Sequence, residues 1–281
     1  MNPGYAGERI ALLTQHGKER VIAPVLEPAL ACRVELVGGF DTDQLGSFTR
    51  ETPRPGTQLE AARRKARIGM ELSGLPIGLA SEGSFGPDPF SGLFPWNVEM
   101  LVLIDDRLGL EVVGLAQGPG GGGQLLSGEW PAVEGFARRE GFPEHQLVLR
   151  PDGPDDARVA KGIADWARLR AGFDDALAQS ARGQVFVEPD LRAFANPTRL
   201  RRIGEAAQAL ARRLTSHCPA CGRPGYGVVS REGGLPCADC GLPTRQPRAD
   251  VWQCGGCGHR ESVPRTDRHR ADPQHCDHCN P

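Results

Sequence analysis

Cys218-Pro-Ala-Cys221, Cys237-Ala-Asp-Cys240, Cys254-Gly-Gly-Cys257 and Cys276-Asp-His-Cys279 decide how the C-terminal quarter of this 281-residue chain folds. Two residues between cysteines let both thiolates of one turn reach a single ion, and a second such turn closes a tetrahedron. Fifteen residues separate the first two pairs and eighteen the last two, within the spacing of four-cysteine zinc sites. Spacing favours sequential sharing: Cys218, Cys221, Cys237 and Cys240 on one ion, and Cys254, Cys257, Cys276 and Cys279 on a second. A cross-braced arrangement stays open. Gly222, Gly241 and Gly258 follow the second cysteine of three pairs and supply the positive φ that such a turn needs. With four protein thiolates each, the sites are closed, and closed zinc sites are structural. A module of this size has little apolar core, so metal binding should supply its folding energy.

Working outward, the other histidines and aromatics of this segment get simpler readings. His259, His269, His275 and His278 are expected as solvated loop residues rather than ligands. Trp252 is expected to pack on the second zinc knuckle, although with Tyr226 it offers a stacking surface beside Arg223, Arg231, Arg245 and Arg248. A nucleic-acid or protein partner for the ribbons is therefore one reading of the tail. Residues 215–281 carry eight Arg against seven Asp or Glu, so the basic stripe expected of a nucleic-acid binder is missing. The ninth cysteine, Cys32, reads as a small buried apolar residue.

The whole chain is of ordinary composition, 39% hydrophobic and 24% charged with a net charge of −2. No window reaches the roughly 18 apolar residues of a membrane span, and Met1 to Arg20 lacks a secretory pattern. A cytoplasmic protein is expected, with metal ligation rather than disulfides explaining the cysteines. Three lysines, Lys18, Lys65 and Lys161, stand against thirty arginines, a bias expected of GC-rich, bacterial coding.

Residues 1–214 read as a mixed α/β domain and 215–281 as the zinc-ribbon domain. Strands are predicted at Ile10–Thr14, Cys32–Val37 and Pro76–Ala80, with a hairpin from Val98–Ile104 to Leu110–Ala116 around Asp105-Asp-Arg-Leu-Gly109. Pro24 and Pro28 are expected to distort the helix-compatible segment after Lys18. Beyond the Pro/Gly-rich stretch Thr52–Gly56, Thr57 and Glu60 form a Thr-x-x-Glu capping box at the head of a helix over Thr57–Leu72. Gly118-Pro-Gly-Gly-Gly-Gly123 reads as a mobile loop. Helices over Pro131–Glu140 and about Ala157–Ala181, strands at Gln146–Arg150 and Val185–Val187, and a final helix from Pro197 to about Leu214, capped by Asn196, complete the alternation.

Three segments carry candidate chemistry. Thr14-Gln15-His16-Gly17-Lys18 follows the first strand where a helix begins, and backbone donors plus a lysine there suit a phosphate. Lys65 lies within the Thr57–Leu72 helix. Ser81-Glu82-Gly83-Ser84 places a carboxylate just past a buried strand, positioned to hold Mg²⁺ beside a phosphate chain. A solvated turn and loop hydrogen bonds are the plainer alternatives for the first and third. Asp190, Arg192 and Arg199 near the last helix form either an anion site or an internal Asp–Arg pair.

Taken together, Thr14-x-x-x-Lys18 after strand one, Ala62-Arg-Arg-Lys65-Ala66 in a helix and Ser81-Glu-Gly-Ser84 after a strand resemble the inosine-triphosphatase-like group. The resemblance covers about residues 10–105, and the group's usual Asn is Gln15 here. It implies an elongated mixed-sheet α/β fold and Mg²⁺-dependent hydrolysis of non-standard nucleoside triphosphates to monophosphate and pyrophosphate. Lys18 and Lys65 would then contact phosphates, and Glu82 would hold the metal, with Asp41 or Asp43 as a further carboxylate. Thr14, Gln15, Ser81, Gly83 and Ser84 would line the nucleotide. Taken whole, with Asp190-x-Arg192-x-x-x-Asn196-Pro-Thr-Arg199 before Cys-Pro-x-Cys-Gly, the chain resembles an uncharacterised bacterial domain family with a double zinc-ribbon tail, which implies no activity.

Overall fold

The computed structural model describes residues 4–45 and 56–281. The stretch Thr52–Gly56 lies outside the described residues except for Gly56.

The first half of the chain is a mixed sheet clamped between helices. β1 (Arg9–Leu13) alternates its buried side chains to both faces, and α1 (Glu19–Leu30) returns the chain to β2 (Arg33–Val37), which pairs parallel with β1 from Arg9↔Arg33 to Leu13↔Val37. α2 (Gln58–Ser73) then crosses the opposite face into β3 (Ile77–Pro87), parallel to β1 on its other side. β4 (Pro95–Asp105) and β5 (Leu110–Pro119) continue as an antiparallel meander, giving the order β2-β1-β3-β4-β5. Ile22, Leu26 and Leu30 of α1 pack with Ile10, Leu12, Ile77 and Leu79 on one face. Ala62, Ala66 and Met70 of α2 pack with Ala80, Val102 and Ile104 on the other. The Thr57–Glu60 capping box forms as expected, each side chain bonding to the other residue's backbone N–H.

Two expectations fail here for local reasons. α1 runs unbroken through Pro24 and Pro28. Both prolines are solvent-exposed one turn apart, and the residues whose carbonyls their missing N–H groups would have bonded, Arg20 and Pro24, lie on the exposed side of the helix. Ser81-Glu82-Gly83-Ser84 is not a loop: β3 extends eleven residues, because β4 pairs with it from Ile77↔Asp105 to Pro87↔Pro95. The glycine run likewise begins as strand, with Gly118 opposite Asn97.

A second sheet follows, with its own core. β6 (Leu125–Ser127), α3 (Trp130–Arg139), β7 (Leu147–Pro151), β8 (Ala160–Ile163), α4 (Trp166–Gln179) and β9 (Val185–Pro189) build an antiparallel sheet in the order β6-β9-β7-β8. Phe136, Phe142, Leu149, Leu169, Phe173 and Val187 fill the space between it and the two helices. The helix expected over Ala157–Ala181 is thus two elements, since Gly162 takes a positive φ and Asp165 caps a new start through the Arg168 N–H. α5 (Pro197–Thr215), capped by Asn196 with Pro197 at its first position, returns to the first sheet. Ile203, Ala206, Ala207 and Leu210 join the α1 face, and any side chain at Gly114 would collide with the helix at Ala206 and Leu210.

The tail forms a three-stranded antiparallel sheet from β10 (Gly227–Gly233), β11 (Pro247–Gln253) and β12 (Arg260–Pro264). It is docked on the first sheet rather than tethered to it. Gly225 lies against Val112 and Leu110, its N–H donates to the Arg213 carbonyl, and Arg213 and Arg223 donate to the carbonyls of Val113 and Leu108. Among the described residues no helix is long and apolar enough to cross a membrane.

Candidate functional site

The eight tail cysteines gather into two groups, Cys218, Cys221, Cys254 and Cys257, and Cys237, Cys240, Cys276 and Cys279. The sequential pairing expected from spacing is therefore wrong; the pairs interleave. The reason is the antiparallel sheet. β10 leaves the first pair and ends near the second, β11 returns, and the third pair at the β11–β12 turn lands beside the first. The fourth pair reaches the second through the parallel bridge of Ala271 to Cys237 and the Ala238 N–H bond to the Ala271 carbonyl. Two ion sites thus brace opposite ends of one sheet.

The geometry of both groups fits zinc. Facing sulfurs lie 3.7 Å apart for Cys218–Cys257 and Cys221–Cys254, 3.9 Å for Cys237–Cys279 and 3.6 Å for Cys240–Cys276. Four thiolates about 2.3 Å from a tetrahedral ion stand about 3.8 Å from one another, far beyond the roughly 2.05 Å of a disulfide. Each turn closes alike, with the N–H of Gly222, Gly241, Gly258 and Asn280 donating to the carbonyl of the first cysteine of its pair. Backbone N–H groups of Gly256 and Cys257 also point at the Cys254 sulfur, as a metal thiolate requires. The histidines of the tail belong to neither group. Trp252 packs, with Tyr226, against Cys218 and Cys254. Tyr226 is buried, stacked on Trp252 and hydrogen-bonded to Glu261, so its ring is engaged inside the module. Arg231, Arg245 and Arg248 face Asp250, Asp277 and Glu232, which breaks up any single-sign surface.

The second arrangement is a buried charge cluster at the carboxyl end of β1, beside the middle of β3. β1 leads through α1 to β2 on one side, and α2 leads to β3 on the other. Strand order therefore reverses between β1 and β3, where open α/β sheets bind ligands. Lys18, just past β1 at the N-cap of α1, donates to the Ser81 carbonyl of β3 at 3.0 Å. Lys65 of α2 pairs with Glu82 at 2.6 Å on the α2 face. On the opposite face Arg199 of α5 pairs with Glu99 of β4 at 2.6 Å, both over Gly83, where any side chain would displace them. All five side chains are buried. Lys18, Lys65 and Glu82 are thus brought together, but enclosed rather than lining an open cleft among the described residues.

The remaining candidates are placed less directly. Gln15 stitches the loop after β2, donating to the Phe40 carbonyl and accepting from Thr42. Ser84 donates to Gln58, whose amide in turn donates to the Glu82 and Val98 carbonyls. The Ser81 hydroxyl is buried without a partner. Thr14 is half-buried and Asp41 exposed, while the side chain of Asp43 lies outside what is described. Asp190 and Arg192 form the internal pair, with Asp190 also accepting from the Gly162 N–H. Glu99 and Arg202 escaped the sequence reading; only the i, i+3 spacing of Arg199 and Arg202 on an otherwise apolar helix face hinted at them.

Nothing among the described residues gathers for magnesium as the eight cysteines gather for zinc. Glu82 is occupied by Lys65 and Glu99 by Arg199, on opposite faces of the sheet, and no carboxylate group among the described residues gathers into a cation site.

Burial, the nearby Arg199 and Lys65 push the Lys18 ammonium down to about 7, against the opposing pull of Glu82 and Glu99. An unfolded chain holds that proton up to its ordinary 10.5, so between about 7 and 10.5 the unfolded state binds more protons and folding stability rises with pH. That stability is lost as pH falls through 7. Urea midpoints measured from pH 7 to 10 should climb in the wild type and climb less in Lys18→Met.

Comparison with curated proteins gives no match. A family model described as a domain of unknown function, DUF6671, matches residues 65–281, which takes in Lys65, Glu82, Glu99, Arg199 and all eight tail cysteines; the chain belongs to that family.

Proposed function

We propose that this is a zinc-braced α/β protein that binds a nucleotide through its phosphate chain at the cluster around Lys18. The observation that carries the reading is convergence. Lys18, Lys65 and Arg199 come from three helices to one strand-order reversal, so far apart in sequence that local folding does not account for their meeting. Buried cations in excess of carboxylates favour an anionic occupant. The resemblance of residues 10–105 to the inosine-triphosphatase-like group points to the same ligand class. The zinc sites take no part in chemistry; they hold the tail against the β4–β5 hairpin and the end of α5.

Binding, rather than hydrolysis, is the reading preferred, because Glu82, the main carboxylate that the resemblance assigns to metal, is tied to Lys65. Calorimetric titration with standard and deaminated nucleoside triphosphates should give saturable binding, weakened about tenfold or more in Lys18→Met, the loss of one charge-assisted contact. Failure of the wild type to bind any of them would sink the reading. Pyrophosphate release from the same panel, compared with Glu82→Gln, tests the further step: faster release by the wild type would make the protein a hydrolase.

A further inference from the structure

Arg202, one turn beyond Arg199 on α5, is buried to 8% exposure. Among the described residues its Nε and Nη1 have no hydrogen-bond partner, and Nη2 makes a long 3.5 Å contact with the Pro119 carbonyl. Among the described residues no carboxylate forms an ion pair with it, whereas Arg199 beside it has Glu99. The guanidinium is seated on Gly118, where any side chain would overlap Nη1, under the start of the Gly118–Gly123 run. A water can satisfy a buried donor, but only an anion offsets a buried charge that has no carboxylate. Asn97, opposite Gly118, turns its amide N–H groups to the Ser84 carbonyl and to Glu99, which fixes that side chain toward the Arg199–Glu99 pair.

We infer that Arg202 is a phosphate-binding residue, taking a phosphoryl oxyanion of the same ligand beyond the one held at Lys18. This rests on the reading of the cluster as a polyphosphate site and adds to it the length of the chain bound. Lys18, Arg199 and Arg202 then form a row of cations along the α5 face. With Lys65 these four basic groups face two carboxylates, Glu82 and Glu99, among the described residues, and an arriving phosphate chain would keep the Lys18 proton in place; that excess suits a di- or triphosphate better than a monoanionic carboxylate.

The test uses the full-length protein with inorganic phosphate, pyrophosphate and tripolyphosphate as titrants. Pyrophosphate and tripolyphosphate should bind the wild type more tightly than phosphate, and Arg202→Met should weaken them about tenfold or more while leaving phosphate nearly unchanged. Because the methionine removes an uncompensated buried charge, ligand-free Arg202→Met should melt about 2–4 °C higher than the wild type. Arg202→Lys, which keeps the charge but loses the fork, should fall between the two in affinity. Unchanged pyrophosphate affinity in Arg202→Met would overturn the inference and leave the nucleotide reading standing. Weaker binding with a lower melting temperature in both variants would assign Arg202 to packing and overturn it too. A wild type that binds none of the three titrants would remove the site altogether.

Discussion

Arg199→Met is expected to destabilise the protein by about 3–5 kcal/mol, the cost of leaving a buried carboxylate without its partner. Arg199 and Glu99 are 1% and 0% exposed at their side chains and 2.6 Å apart. Arg199 also donates to the Leu191 carbonyl, so its loss unties the connection leading into α5 as well as the ion pair. Replacing both partners, as Arg199→Met with Glu99→Leu, should recover much of the loss, since two apolar groups of similar size leave no orphaned charge. Urea denaturation of the two single variants and the double variant measures this directly. A single-variant loss below about 1 kcal/mol would show that water reaches the pair, because exposed ion pairs are worth no more than that. The contrast with Arg202, three residues on, is informative: one helix face carries two buried arginines, and removing them should shift stability in opposite directions.

Removing zinc should have the second large effect. Chelation is expected to unfold the whole tail sheet, because apart from the cluster of Cys218, Tyr226 and Cys254 with Trp252 packed on it, the module has little apolar interior. β12 is exposed throughout. Structural zinc contributes roughly 10–16 kcal/mol of apparent binding energy to modules of this kind, more than the remaining contacts can replace. The loss should spread to the first sheet, since Leu110 and Val112 are covered by the tail at Gly225. Circular dichroism and proteolysis before and after chelation measure it: cleavage across residues 227–264 should become rapid, and re-addition of zinc should restore protection. A tail that stays protected without metal would show that β10–β12 fold on their own packing.

The same two regions show what the sequence discloses and what it withholds. The eight ligands are legible because coordination chemistry imposes a local spacing. Which pairs share an ion is not, because that depends on how β10 and β11 align, a matter settled across tens of residues. The Thr57 capping box and the Asn196-Pro197 helix start are short-range hydrogen-bond patterns and read correctly. β3 outruns its apolar pattern because Ser81, Glu82 and Gly83 are polar or small; in the fold Lys65, Glu99 and Arg199, from distant segments, pack against them. Glu99 itself lies within an apolar run and carries no local mark of its partner a hundred residues away. Lys18, Lys65 and Glu82 lie on three separate segments, and nothing in their spacing marks them as neighbours in the fold.

The interleaved zinc sites organise the tail and its docking, and zinc content of Cys218→Ser combined with Cys254→Ser tests them most directly. Both substitutions fall on one site if the pairs interleave and on two if they do not. Elemental analysis should find about two zinc ions in the wild type and about one in the double variant, retained by Cys237, Cys240, Cys276 and Cys279. A double variant stripped of both ions while Cys218→Ser alone keeps one would contradict the interleaved arrangement.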